Sequence, residues 1–183
     1  GVAWATVDPR VKGIVFSGSG GMLVEIANTA LEPLDLKPTL ELLIFDGQPD
    51  IHLAHPLLHT FQSLWDRVDP VAKGPYVSEN PHPGFAPRDI LMTAGYRDGY
   101  FHPRSQAALA VSLGSPIAGP YVEPILNDYL ELSGRFAQPL PVQRNFADYT
   151  SGVVSFAAPH TLGHYVVFNQ EGSRHQYTCW YSY

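Results

Sequence analysis

Three short apolar runs, widely separated along the chain, constrain its fold most strongly. They occupy residues 10–16, 90–94 and 153–157, and helix-like segments lie between them. Continuous apolar runs of this length are typical of strands that are covered on both faces of a parallel sheet. Strands that alternate with helices also favour parallel pairing. The sequence therefore predicts an α/β fold with three parallel strands.

The segments between these strands show the spacing of apolar residues that is typical of helices. Pro56 suits the first turn of a helix, and Gly114 suits the position just after the end of one. Residues 39–45 fit a helix or a strand equally well. The predicted helices cover residues 2–7, 22–31, 56–65, 103–113 and 173–183.

Two long segments are expected to lie outside the sheet. Residues 22–87 are predicted to form a cap-like or lid-like helical insertion, which ends in a proline-rich ordered loop. Residues 115–150 contain five prolines and are predicted to form an irregular excursion over the surface. A length of 183 residues is enough for one domain with a hydrophobic core. Three strands alone would leave a sheet edge uncovered, which suggests further strands before Gly1.

Composition excludes several classes of function. The formal charge is −6 and no basic run is present, which argues against nucleic-acid binding. No apolar run approaches the roughly 18 residues that a membrane span needs. Cys179, the single cysteine, allows neither an internal disulfide nor a thiolate zinc cluster, and is most simply a packed thiol. Charged residues make up only 15%, a low share that suits an exported bacterial enzyme in a secreted or periplasmic location.

Two polar residues follow the second and third predicted strands. Asp98 stands in the loop after residues 90–94, and His164 stands in the loop after residues 153–157. Open α/β sheets build their sites at the carboxyl ends of the strands, so the fold is expected to bring these side chains together. The plainer alternatives are a turn carboxylate, because Asp-Gly is a common turn pair, and a packing histidine. Three further histidines compete for a role: His102, His160 and His175.

Three motifs together resemble the C-terminal half of an α/β-hydrolase of the bacterial serine esterase and lipase kind. They are DPRVKGIVFSGSGG over residues 8–21, GYRDGYFHP over 95–103 with QAALA after it, and GHYVVFN over 163–169. The resemblance implies that the sheet is the last three strands of that fold. It also implies hydrolysis of an uncharged, apolar-leaning carboxylic ester, without a cofactor, through a catalytic triad. In that triad Asp98 would be the acid and His164 the base.

The family order of the triad is Ser, then Asp or Glu, then His, and its serine lies in a Gly-x-Ser-x-Gly turn. The resemblance places this turn, with the oxyanion donors, in a missing N-terminal half before Gly1. Ser19 is a second candidate nucleophile, because residues 17–21 lie between a predicted strand and a predicted helix. A third reading is a non-catalytic binding or scaffold protein on the same fold. Residues 1–183 alone are expected to be inactive and poorly soluble, because the first strand would have an unpaired edge.

The cap segment contains apolar side chains that suit either an acyl or aromatic substrate pocket or simple core packing. The candidate substrate-binding residues are Met22, Leu23, Leu58, Phe61 and Trp65.

A cluster of histidines in the cap raises the question of a metal site. His52, His55 and His59 lie close together in sequence, with Asp50 beside them. His55 and His59 are four residues apart and suit one helix face, but Pro56 forces His55 towards the helix boundary. Solvated or capping histidines are therefore expected, and no metal is predicted.

Overall fold

A parallel three-stranded sheet forms the centre of the part of the chain that the structure describes. The strands are β1 (Gly13–Ser17), β2 (Asp89–Gly95) and β3 (Ser151–Phe156), in the order β1-β2-β3. Ser17 lies opposite Thr93, so the carboxyl ends of β1 and β2 meet at one edge. The predicted α/β class and the three parallel strands are confirmed. The computed structural model describes residues 1–43, 52–158 and 163–182.

The helices lie between and after the strands. Each predicted helix is present, with ends shifted by a few residues, and the ambiguous segment 39–45 is helical as far as Leu43. Two short 3-10 turns cover Gly74–Tyr76 and Gly163–Tyr165. No helix in these described ranges is both long and apolar enough to cross a bilayer. The helices are α1 (Val2–Val7), α2 (Leu23–Thr29), α3 (Lys37–Leu43), α4 (Pro56–Trp65), α5 (Pro70–Lys73), α6 (Pro103–Ser112), α7 (Pro124–Leu132), α8 (Val166–Asn169) and α9 (Glu171–Trp180).

The prediction that residues 115–150 are irregular is wrong for α7. Pro124 stands in the first turn of this helix, where a proline has no hydrogen bond to lose. The side chain of Glu123 accepts a hydrogen bond from the backbone N–H of Ile125 and so caps the helix. Leu126 and Leu130, one turn apart, are both buried and anchor α7 to the core. Pro124 therefore begins a helix rather than breaking one.

Helices cover both faces of the sheet, which explains why its strands are apolar throughout. On one face, Ile90 and Met92 pack in a cluster with buried leucines of α6 and α7 and with residues of α1. On the other face, Leu91 and Val154 pack in a second cluster with Trp180 of α9. Alternate side chains of β2 therefore enter two different clusters.

A buried carboxylate joins the helices of the predicted cap. Asp69 is 0% exposed, and its oxygens accept the backbone N–H groups of Met22 at 3.1 Å, Leu23 at 2.8 Å and Val71 at 2.9 Å. The side-chain amide of Gln62 also donates to Asp69, at 2.7 Å. One side chain thus fixes the starts of α2 and α5 against α4. The function of residues 22–87 as a cap or lid stays a prediction.

Candidate functional site

Asp98 and His164 meet at the carboxyl ends of β2 and β3. Nδ1 of His164 lies 3.2 Å from Oδ2 of Asp98, although 66 positions separate the two residues in sequence. The side chain of Asp98 is 0% exposed, and that of His164 is 20% exposed. The structure therefore contains a buried carboxylate paired with a partly open imidazole, as the strand ends led us to expect.

Two glycines allow the loops that carry these residues to approach each other. Gly95 ends β2, and a β-carbon at this position would overlap the backbone of Gly163. A β-carbon at Gly163 would lie 2.5 Å from the carbonyl oxygen of Tyr96 and 2.8 Å from the backbone nitrogen of Asp98. Only residues without a β-carbon fit this contact, which sets the distance between Asp98 and His164.

The loop after β1 also lies against His164. Gly18 has a φ of +48°, and a β-carbon there would lie 2.7 Å from Nδ1 of His164. The hydroxyl of Ser19 donates to the carbonyl oxygen of Ser17 at 3.2 Å. Within the described ranges, Ser19 makes no hydrogen bond to His164 and lacks the positive φ of a strained turn. The structure thus gives the alternative nucleophile no direct support.

The Asp98 carboxylate accepts hydrogen bonds through both oxygens. Oδ1 accepts the backbone N–H groups of Tyr100 at 2.8 Å and Phe101 at 3.0 Å. Oδ2 accepts the side-chain amide of Gln106 at 3.0 Å, besides its contact with His164. These hydrogen bonds together hold the carboxylate in one orientation. Gln106 was not a predicted site residue, because only the docking of α6 directs its amide towards the acid loop.

Aromatic rings surround the imidazole. The ring of Tyr100 stacks on that of His164 with centroids 4.1 Å apart and planes inclined by 23°. Phe101 lies nearly parallel to the imidazole at 5.6 Å, and Tyr165 meets it edge-on at 5.0 Å. The hydroxyl of Tyr165 donates to that of Tyr100 at 2.8 Å, which joins the two loops. These contacts restrict the rotation of the imidazole.

The geometry leaves one nitrogen of His164 available for chemistry. Nδ1 is engaged with Asp98, so the carboxylate favours the tautomer in which Nδ1 carries the proton. Nε2 then has a lone pair that can accept a proton from an alcohol or from water. Among the residues that the structure describes, the imidazole forms a hydrogen bond only with Asp98. The pair can therefore act as a general base and, once protonated, as a general acid.

The predicted substrate-binding residues separate into two groups. Leu58, Phe61 and Trp65 line an apolar cavity of about 90 Å³. Met22 and Leu23 do not line it, and their backbone N–H groups bind Asp69 at the start of α2 instead. The residues that line the cavity are Val24, Ala27, Leu40, Leu58, Phe61 and Trp65.

Of the competing histidines, His102 has a structural position at the start of α6. Its Nδ1 accepts the backbone N–H of Arg104 at 3.2 Å. The buried carboxylate of Glu25 lies 3.8 Å from the same nitrogen and 2.6 Å from Nε of Arg104. Burial lowers the pKa of His102, the charge of Arg104 lowers it further, and Glu25 opposes both effects. His175 lies 3.5 Å from the sulfur of Cys179 on α9, and His160 lies outside the described residues.

The predicted capping role is confirmed for His55. Its Nδ1 accepts the backbone N–H of Leu57 at 3.2 Å, at the start of α4. Asp50 lies outside the described residues. Within residues 1–43, 52–158 and 163–182, no three histidine, cysteine or acidic side chains are placed to hold a metal ion.

No protein-family model, no curated protein and no solved structure matches this chain. The functional inference therefore rests on the geometry of Asp98, His164 and their neighbours.

Proposed function

We propose that this chain supplies the acid and the base of a serine hydrolase that cleaves carboxylic esters. The observation that carries the proposal is the 3.2 Å contact between His164 and Asp98 at the ends of adjacent parallel strands. The orientation is the one that a triad needs, because Nδ1 faces the carboxylate and Nε2 is left for the nucleophile. The full burial of the carboxylate also suits a permanent partner of the imidazole.

In the proposed reaction, Nε2 of His164 removes the proton from a serine hydroxyl, and the serine oxygen attacks the ester carbonyl carbon. The Asp98 carboxylate stabilises the imidazolium ion. His164 then gives the proton to the leaving alcohol as the ester bond breaks. Water, activated by the same imidazole, hydrolyses the acyl-enzyme and releases the acid. No cofactor takes part.

The nucleophile is proposed to come from a serine that precedes Gly1, as the resemblance to esterases implies. Gly18, rather than Ser19, lies against the imidazole, and Ser19 donates to the backbone of its own loop. The apolar acyl group of the substrate is likewise proposed from the resemblance, because the cavity lined by residues of α2, α3 and α4 includes neither Asp98 nor His164.

A fluorophosphonate probe tests the proposal on the full protein, including any region before Gly1. We expect covalent labelling, hydrolysis of p-nitrophenyl esters, and a labelled peptide that lies before residue 1. His164→Gln should abolish both activities. Asp98→Asn should lower kcat about ten-thousand-fold, because the imidazole loses its correct tautomer. His175→Gln, which changes a histidine that contacts Cys179 on α9, is the control and should retain full activity.

Two outcomes would change the conclusion. A folded full protein that neither labels nor hydrolyses esters would contradict the proposal and favour a binding or scaffold protein. Loss of labelling in Ser19→Ala, with Ser19 in the labelled peptide, would assign the nucleophile to the loop after β1.

A further inference from the structure

We propose that Gln106 is a positioning residue that directs the Asp98 carboxylate and limits how strongly it holds the proton on His164. This inference rests on the proposed function, in which Asp98 and His164 form the acid–base pair.

Gln106 completes the set of contacts that orients the carboxylate. The backbone N–H groups of Tyr100 and Phe101 bind only Oδ1. The second oxygen, Oδ2, faces His164 and receives the amide N–H of Gln106 at 3.0 Å. Two backbone donors fix only Oδ1, so the amide of Gln106 and the imidazole of His164 together determine where Oδ2 lies.

Gln106 occupies this place at a cost to stability. Its side chain is 0% exposed on α6. Because an ionised carboxylate can only accept, the amide must turn its N–H towards Asp98, and its oxygen then has no hydrogen-bond partner in the described structure. A buried acceptor without a partner is unfavourable. The hydrogen bond to Asp98 explains why the amide of Gln106 keeps this orientation although its oxygen has no partner in the described structure.

The amide also changes the strength of the contact between Asp98 and His164. Gln106 and His164 share Oδ2, and a neutral donor draws negative charge from that oxygen. Without the amide, Oδ2 would carry more negative charge and would hold the imidazolium proton more strongly. Gln106 thus weakens the hold of Asp98 on the imidazolium proton.

Other titratable groups face the imidazole and must be considered in any pH measurement. In the described structure they are Asp98 from the acid loop, Tyr100 stacked on the ring, and Tyr165 next to it in sequence. Glu32, after α2, acts on the Tyr100 hydroxyl. From α6, the group that reaches Asp98 is the uncharged amide of Gln106, so changing it isolates one contact.

Two substitutions in the full protein test this role. Gln106→Met removes the amide at nearly constant volume, and Gln106→Glu puts a second carboxylate beside Asp98. We expect the acidic limb of the pH profile of kcat/KM to move to higher pH, and to move further in the glutamate variant than in the methionine variant. The titration midpoint of the His164 imidazole, followed by NMR, should move in the same direction.

Leu109→Met is the control, because Leu109 is buried on the same helix and is not bonded to Asp98. It should leave the acidic limb and the midpoint in place. A folded Gln106 variant with an unchanged limb and midpoint would overturn the inference and reduce Gln106 to a packing role. The NMR titration needs no turnover, so it decides the role of Gln106 even if the protein proves not to hydrolyse esters.

Discussion

The imidazole of His164 is held by contacts that restrict both its position and its tilt. The carboxylate of Asp98 binds one ring nitrogen, while the ring of Tyr100 covers a face at 4.1 Å. Tyr100 is itself fixed through its backbone N–H to Asp98 and through its hydroxyl to Tyr165. A protonated imidazole gains from such an aromatic face by a cation–π interaction. Tyr100 therefore suits a base that must become charged during the proposed reaction.

Replacing the aromatic ring of Tyr100 should slow the proposed reaction. We expect Tyr100→Leu to lower kcat about five- to tenfold, because the imidazolium loses its aromatic face. Tyr100→Phe keeps the ring and should recover most of that loss in a steady-state ester assay. The control is Tyr76→Leu, which removes a similar stack, on His82 at 4.7 Å, away from the site. Equal losses in the leucine and phenylalanine variants would show that the hydroxyl, not the ring, matters.

The sequence predicts Asp98 and His164 as site residues, but it does not predict the contacts of Gln106 and Tyr100. Asp98 and His164 could be predicted because each follows an apolar strand, and parallel strands end at the same edge. The contact of Gln106 with Asp98 depends on how α6 docks, and the stacking of Tyr100 depends on a ring 64 positions away. Such contacts leave no local pattern in the chain.

Helix α6 begins with a histidine that is able to cap it only while neutral. His102 accepts the backbone N–H of Arg104 through Nδ1, which is impossible once that nitrogen carries a proton. Burial lowers the pKa of His102, so the folded protein favours the neutral ring. The unfolded chain binds the proton at a higher pH, near 6.5, than the folded protein does. The contribution of neutral His102 to the stability of the folded protein is therefore complete above about pH 6.5. It is lost as the pH falls through the lower pKa that His102 has in the folded protein.

Substituting His102 should separate capping from titration. His102→Ala should destabilise the protein by about 1 kcal/mol at neutral pH, because α6 loses its cap. His102→Asn keeps a capping oxygen that does not titrate, so the loss of stability between neutral and acidic pH should be smaller than in the parent protein. Urea unfolding at several pH values measures both effects. Parallel pH dependence in the asparagine variant and the parent would exclude His102 as the titrating group.

The contact between the end of β2 and the turn at Gly163 should be the least tolerant part of the site. Gly95→Ala forces a β-carbon into the backbone of Gly163, so we expect a loss of about 1–3 kcal/mol in stability. Activity should fall further than stability alone explains, because the clash separates Asp98 from His164. Thermal unfolding and kcat below the melting temperature test this. Gly172→Ala is the control, since its β-carbon would make an ordinary 3.6 Å contact with Phe156.

Helices and strands could be predicted where an apolar run coincided with a proline or glycine at its end. The strands and α4 follow from apolar runs and from Pro56. Helix α7 is not predicted, because five prolines over residues 115–150 favour irregular structure, although Pro124 begins a helix. The shared role of Asp69 was also missed, although an aspartate before Pro70 is a typical helix start. It binds two helix starts that only tertiary structure brings together.

The sheet as a whole is protected unequally at its two edges. Beyond β3, Ala118 donates to the carbonyl oxygen of Val153 at 2.8 Å, and the backbone N–H of Val153 donates to Pro116 at 2.8 Å. Within the described residues, β1 pairs with a strand on one side only, whereas β2 is paired on both. Unpaired strand edges promote association between chains. The β1 edge is therefore a place where another strand could pair with this sheet.

We predict that residues 1–183 expressed alone will be inactive, poorly soluble and increasingly associated as concentration rises, as measured by light scattering. Backbone amides of β1 should exchange with solvent faster than those of β2, because half of them lack a strand partner. Val7→Ser tests one contribution of apolar contact, since Val7 on α1 is 66% exposed. Association that falls in this variant would assign part of the effect to apolar contact rather than to the strand edge. A soluble monomer that unfolds cooperatively would contradict the prediction, because an open edge of this kind would then be tolerated.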